Sequence, residues 1–140
     1  LDIKGRNGIL LQADVRLDDA DPSGFDLLLI PGGPGVSTLR ADGRAASLAG
    51  AFAAEGKPVA AICAAPLVLE DAGLLAGRRF TAHASVTGEL PEAQTGERLI
   101  EDGSLITSRG AGTALEFGLA LVDALFGQEA EDAVARAIMA

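Results

Sequence analysis

The stretch Pro58-Val59-Ala60-Ala61-Ile62-Cys63-Ala64-Ala65-Pro66-Leu67 decides how this chain is read. An apolar run of strand character ends at Cys63, and a run of helical character starts just after it. That order puts the only cysteine of the chain at a strand-to-helix turn, on the positive end of a helix. A helix N-terminus favours the thiolate of a cysteine placed on it, the form that attacks electrophiles. The alternative is a buried structural cysteine, since free Cys is among the most buried residue types.

Working outward, the same pattern recurs. Phe25-Asp26-Leu27-Leu28-Leu29-Ile30 is a continuous apolar run closed by Pro31-Gly32-Gly33-Pro34-Gly35. Continuous apolar runs bounded by Gly and Pro fit strands buried on both faces, as in parallel sheets. Gly8 to Gln12 and Arg79 to His83 read as shorter strands. Glu97 to Glu101 and Ser104 to Ser108 flank Asp102-Gly103, a strong hairpin signal. Helical spacing predicts helices over Ala41 to Glu55, stopped by Gly56, and over Leu67 to Leu75. It predicts two more over Ala111 to Phe126, with Leu115, Leu119, Val122 and Phe126 on one face, and over Gln128 to Met139. Strands alternating with helices make one α/β domain, a mainly parallel sheet with helices on both faces.

Composition narrows the function. The chain has 140 residues, enough for one domain with its own core. A formal net charge of -9 argues against nucleic acid or an anionic membrane surface as partner. No apolar segment approaches the ~18 residues of a membrane span, and no signal peptide is visible. One Cys and one His leave no metal site to expect, and a free thiol fits a reducing cytoplasm.

Three groups fall at predicted strand ends: Pro31-Gly32-Gly33, Cys63-Ala64 and His83. In parallel α/β sheets ligands sit at the carboxyl ends of the strands, so the three converge on one edge. Gly32 and Gly33, with Ala64, can present N–H groups as an oxyanion hole beside the sulfur, or the glycines can serve only a tight turn. His83 can orient or deprotonate Cys63, or be a hydrogen-bonded residue with no such role. Arg109 can bind an anionic group or form a structural ion pair. The glycine spacing fits neither a Walker A loop nor a dinucleotide fingerprint.

Ala60-Ala61-Ile62-Cys63-Ala64-Ala65-Pro66 resembles the nucleophile elbow of the DJ-1/PfpI (ThiJ) superfamily. Leu29-Ile30-Pro31-Gly32-Gly33 resembles its oxyanion strand end. Ile106-Thr107-Ser108-Arg109-Gly110-Ala111-Gly112-Thr113-Ala114-Leu115-Glu116-Phe117 resembles a segment of the DJ-1 branch, with Ala111 where that branch has Pro. Within that branch the chain looks closest to the bacterial YajL-like proteins. The resemblance implies a flavodoxin-like three-layer fold, a homodimer and no cofactor. It implies that Cys63 is the nucleophile and oxidation-sensitive thiol, with Gly33 and Ala64 as oxyanion-hole donors. His83 falls where the family places a histidine, and Arg6 and Arg109 where it places arginines near the site. The implied activity is glyoxalase III or deglycase chemistry on methylglyoxal, glyoxal or glycated protein side chains. The same thiol also suits a redox-sensing stress-response protein or chaperone. PfpI-type proteases carry His directly after the nucleophile, where this chain has Ala64. The resemblance further implies an N-terminal β-α-β unit, with a glutamate that contacts the cysteine, ahead of Leu1. By that comparison residues 1–140 are a fragment, a cleavage product or one part of a divided protein. No acidic residue of the sequence obviously replaces that glutamate.

Overall fold

The computed structural model describes residues 1–140. In chain order the elements are β1 (Asp2–Lys4), β2 (Leu10–Gln12), β3 (Leu28–Ile30), α1 (Val36–Asp42), α2 (Arg44–Ala54), β4 (Val59–Ile62), α3 (Pro66–Asp71), β5 (Leu99–Asp102), β6 (Leu105–Ser108), α4 (Ala114–Phe126) and α5 (Gln128–Ile138). Four strands form one sheet in the order β3-β4-β6-β5. β3, β4 and β6 run parallel, and β5 pairs antiparallel with β6.

Residue alternation along β4 builds the layers. Val59 and Ala61 pack with Ala49 and Phe52 of α2 and with Leu67, Val68 and Leu69 of α3. Ala60 points the other way, joining Ile106 of β6 and Phe117 and Ala120 of α4. Both faces of the sheet are therefore covered, which explains why its strands read as unbroken apolar runs. The result is the expected flavodoxin-like, mainly parallel α/β sandwich. No helix is long and apolar enough to cross a membrane.

Several boundaries depart from expectation. The helix expected over Ala41 to Glu55 is two helices, α1 and α2, and it starts earlier, at Val36. Gly43 divides them at φ 78°, and its N–H caps Leu39. The Phe25–Ile30 run yields a strand only at Leu28–Ile30, because Phe25 closes a turn onto Pro22. The helix after the elbow ends at Asp71, where Gly73 (φ 70°) and the Leu74 N–H to Leu69 carbonyl bond turn the chain. Arg79 to His83 is not a strand. β6 already has β4 and β5 on its two edges, so this segment cannot join the ladder there. Its Thr81 N–H instead donates to Thr107 Oγ1 at 2.9 Å. On α4 the buried positions are Phe117 and Ala120, while Leu115 and Phe126 are exposed. That helix is apolar around most of its circumference, so spacing alone did not select its inner face.

The outer edge of β3 has no partner, and Leu29 is exposed there. Beside it Leu17, Phe25, Leu27, Leu28, Leu48 and Phe52 line an apolar hollow of about 510 Å³. The β1–β2 hairpin exposes Leu1, Ile3, Leu10 and Leu11.

Candidate functional site

Cys63 follows β4 directly and has φ 67°, in the left-handed region. For an L-residue that conformation costs roughly 1–2 kcal/mol and persists only where the surroundings impose it. Here the backbone imposes it from both sides. The Cys63 N–H donates to the Ser108 carbonyl at 2.8 Å, and the Cys63 carbonyl accepts the His83 N–H at 2.8 Å. Two residues on, the Ala65 N–H closes the turn onto Ile62 O at 3.1 Å, and Pro66 opens α3. The thiol is half-buried and unpaired.

The loop after β3 lies against this turn. A Cβ on Gly32 would sit 2.6 Å from Cys63 Cβ, 2.7 Å from Ile62 O and 3.1 Å from Ala64 N. Only glycine fits that approach. Gly33 follows at φ 99°. The N–H groups of Gly32, Gly33 and Ala64 have no acceptor within the protein. Free N–H groups flanking a strained cysteine turn have the geometry to hold a developing oxyanion.

A cleft of about 380 Å³ opens over the sulfur. Its walls include Gly33, Ala64, Arg6, Arg40, His83 and Glu89, with Ser37 and Ser85 at its margin. His83 caps the short turn that follows it: Ser85 N–H donates to Nδ1 at 3.1 Å, and Ser85 Oγ lies 2.8 Å from the same atom. A backbone N–H can only donate, so in the neutral ring Nδ1 keeps its lone pair and Nε2 carries the proton. His83 thus offers the site a donor. Arg6 forms neither an ion pair nor a side-chain hydrogen bond, so its charge is uncompensated at the cleft; Arg40 is matched by Asp71 and Glu89.

Arg109 stands elsewhere. It lines a second hollow on the far side of His83, with Arg98, Gly110 and Thr113. Its Nη1 donates to the carbonyls of Thr95 (3.3 Å) and Gly96 (3.0 Å). In the same hollow the Arg98 guanidinium bonds Glu116 and holds its carboxyl below the usual glutamate range. Ser108 and Thr113 meet at 2.5 Å beneath it, fully buried. So Cys63, Gly33, Ala64, His83 and Arg6 share one cleft, Gly32 abuts the turn, and Arg109 lies outside. Sequence reading missed Arg40 and Glu89. An arginine two turns past the Gly32-Gly33 loop was a visible signal for the first; nothing marked the second. No three His, Cys, Asp or Glu side chains converge as a metal site.

The profile of the DJ-1/PfpI family matches residues 1–124. "Protein DJ-1 homolog B" of Arabidopsis thaliana is 39% identical over 132 residues, covering 92% of this chain and 30% of that protein. "Deglycase PfpI" of Pyrococcus furiosus is 33% identical over 113 residues, covering 79% of this chain and 68% of that one. The crystal structure of Drosophila melanogaster DJ-1beta superposes with a TM-score of 0.91 at 31% identity, covering 99% of this chain and 76% of that one. The chain thus spans about a third of the length of the two plant relatives, at 30% and 34%.

Proposed function

The chain belongs to the DJ-1/PfpI family, and from that premise we propose that it is a cysteine-dependent glyoxalase III or deglycase. Its substrates are methylglyoxal, glyoxal or their adducts on protein side chains, and its setting is carbonyl and oxidative stress defence. The observation that carries this reading is the pair of unsatisfied N–H groups, Gly33 and Ala64, beside the strained Cys63 turn.

The Cys63 thiolate adds to the aldehyde carbon of methylglyoxal, forming a C–S bond while the carbonyl electrons move to oxygen. The Gly33 and Ala64 N–H groups hold that oxyanion, which takes up a proton to give the hemithioacetal. The hydrogen on the attacked carbon leaves as a proton and the neighbouring carbonyl carbon gains one, while the hemithioacetal hydroxyl gives up its proton and the ketone oxygen takes one. The product of that shift is a thioester bearing a hydroxyl. Water cleaves it, releasing lactate and the thiol, with no net redox change and no cofactor. His83, through Nε2–H, donates to the ketone oxygen during the shift. The shift also needs a base, which we assign to a glutamate in an N-terminal β-α-β unit that completes the domain. The unpaired edge of β3 and the apolar hollow beside it support such a unit. The exposed apolar residues of the β1–β2 hairpin support a homodimer, and a free thiol supports a cytoplasmic location.

The test is lactate formation from methylglyoxal by the full-length protein and its Cys63→Ala variant. Cysteine-dependent lactate is expected; equal background in both rejects the reading.

A second reading has its own observation. The uncompensated cation of Arg6 lines the same cleft as the free N–H groups, a setting that suits a cysteine sulfinate. Cys63 would then act as the oxidant-sensing thiol of a stress-response protein or chaperone. Mass spectrometry after mild peroxide should find two added oxygens on Cys63; an unmodified thiol removes this reading.

A further inference from the structure

We propose that Arg40 is a positioning residue for the Cys63 site, a single guanidinium that locks together the three segments carrying Gly33, Cys63 and His83. The inference rests on Cys63 being the nucleophile. Arg40 sits on α1, the helix that follows the Gly32-Gly33 loop. Its Nε and Nη2 donate to Asp71 Oδ2 and Oδ1 at 2.7 and 2.8 Å. Asp71 is the last residue of α3, the helix that leaves the Cys63 turn. The Arg40 Nη1 donates to Glu89 Oε2 at 2.7 Å. Glu89 in turn bonds back through its N–H to Val86 O at 3.0 Å, and Val86 N–H to His83 O at 3.0 Å. The chain of bonds therefore runs from α3, through Arg40, to the residue that carries the imidazole.

No other side-chain hydrogen bond joins α1 to α3, or α1 to the segment 84–90. An ion pair at this exposure adds little to stability. What it supplies is geometry. A planar guanidinium fixes carboxylates in its own plane, and a lysine ammonium, being a point charge, does not. Arg40 and Glu89 also form part of the cleft wall, so the lock lies next to the chemistry it aligns.

The experiment uses the full-length protein with Arg40→Gln, Arg40→Lys and Glu89→Gln. Glu89 is exposed, so its variant keeps the fold. Two rates at Cys63 are compared: turnover of methylglyoxal, which needs the N–H donors aligned, and alkylation by iodoacetamide, which does not. In Arg40→Gln, turnover should fall on the order of 10–100-fold while alkylation changes less than about twofold, because small misplacements of catalytic groups cost that much. Arg40→Lys should not restore turnover. A folded Arg40→Gln protein with parental turnover overturns the proposal, as does full rescue by lysine or an equal fall in both rates. Amide exchange gives a readout independent of activity: residues 85–90 should exchange about two- to fivefold faster in both Arg40→Gln and Glu89→Gln, with β4 unchanged. If the parent makes no cysteine-dependent lactate, the functional reading fails while the exchange data still decide the lock. Unchanged exchange in Arg40→Gln then rejects it.

Discussion

Replacing Gly32 by alanine tests whether the loop after β3 and the Cys63 turn form one close-packed unit. The added Cβ would sit 2.6 Å from Cys63 Cβ, where carbon atoms normally rest about 3.5–4.0 Å apart. It would also sit 2.7 Å from Ile62 O. That oxygen cannot retreat: Ile62 is paired in register with Ser108, and its carbonyl accepts the Ala65 N–H. The Gly32 loop must yield instead, by roughly 1 Å, and carries the Gly33 N–H with it. Overpacking of this kind costs about 1–3 kcal/mol. At ~2 kcal/mol the folding constant drops about 30-fold, and Tm falls by roughly 8 °C for a domain of this size. On the proposed function the larger effect is on chemistry, since loss of one aligned oxyanion donor lowers turnover by about 10²–10³-fold. Gly50→Ala is the control. Gly50 lies inside α2 with nothing within 4 Å of an added Cβ, so alanine should stabilise by about 0.5–1 kcal/mol with turnover unchanged. Thermal unfolding and the lactate assay on both variants decide the matter. A Gly32→Ala protein with parental Tm and parental turnover refutes the close approach.

Thr107→Val removes the oxygen that accepts the Thr81 N–H at 2.9 Å, between two fully buried residues. It should cost about 1–3 kcal/mol in denaturant unfolding while Thr107→Ser costs less, and a Val variant as stable as its parent would show that the Thr81 N–H has another acceptor. Acid stability follows from two aspartates. The Arg40 guanidinium holds the Asp71 carboxyl below the ordinary value of 3.8, and the Arg79 N–H and Arg78 guanidinium do so for Asp102. A carboxyl depressed in the folded state stabilises above its unfolded pKa and loses that contribution as pH falls through the folded value. The denaturation midpoint should therefore drop as pH falls below 3.8. Asp71→Asn should flatten that slope by less than one proton, under about 1.4 kcal/mol per pH unit; an unchanged slope contradicts the pairing.

What could be read from the sequence was set by how local each constraint is. The runs ending at Ile30 and Ile62 announced strands because the sheet is covered on both faces around β4, and Leu27 to Ile30 and Val59 to Ile62 are apolar throughout. Asp102-Gly103 announced the β5–β6 hairpin because a tight turn is decided by a few adjacent residues. The division of α1 from α2 was also local in principle, since Gly43 sits at the break, yet glycine inside an apolar pattern is equally compatible with one helix. The fate of Arg79 to His83 was not local at all. It depended on whether β6 had a free edge, and that is fixed by β5, some twenty residues later.

The site divides along the same line. Its floor is backbone: the Cys63 N–H and carbonyl are held by Ser108 and His83, and Gly32 is pressed onto the turn. Groups placed by backbone at strand ends converge wherever the topology converges, so Cys63, Gly33 and Ala64 could be named from their positions in the chain; His83 ends no strand and reaches the site through its N–H bond to the Cys63 carbonyl. Its wall is side chains: Arg40 reaches Asp71 across 31 positions and Glu89 across 49, a match that depends on the packing of α1 against α3. This division has a physical consequence. Substitution at Cys63 removes the sulfur and leaves the cradle of N–H groups standing, because those groups owe nothing to the thiol. Substitution at Arg40 leaves the sulfur and frees the wall, so the two changes should separate reactivity of the thiol from its alignment with a carbonyl.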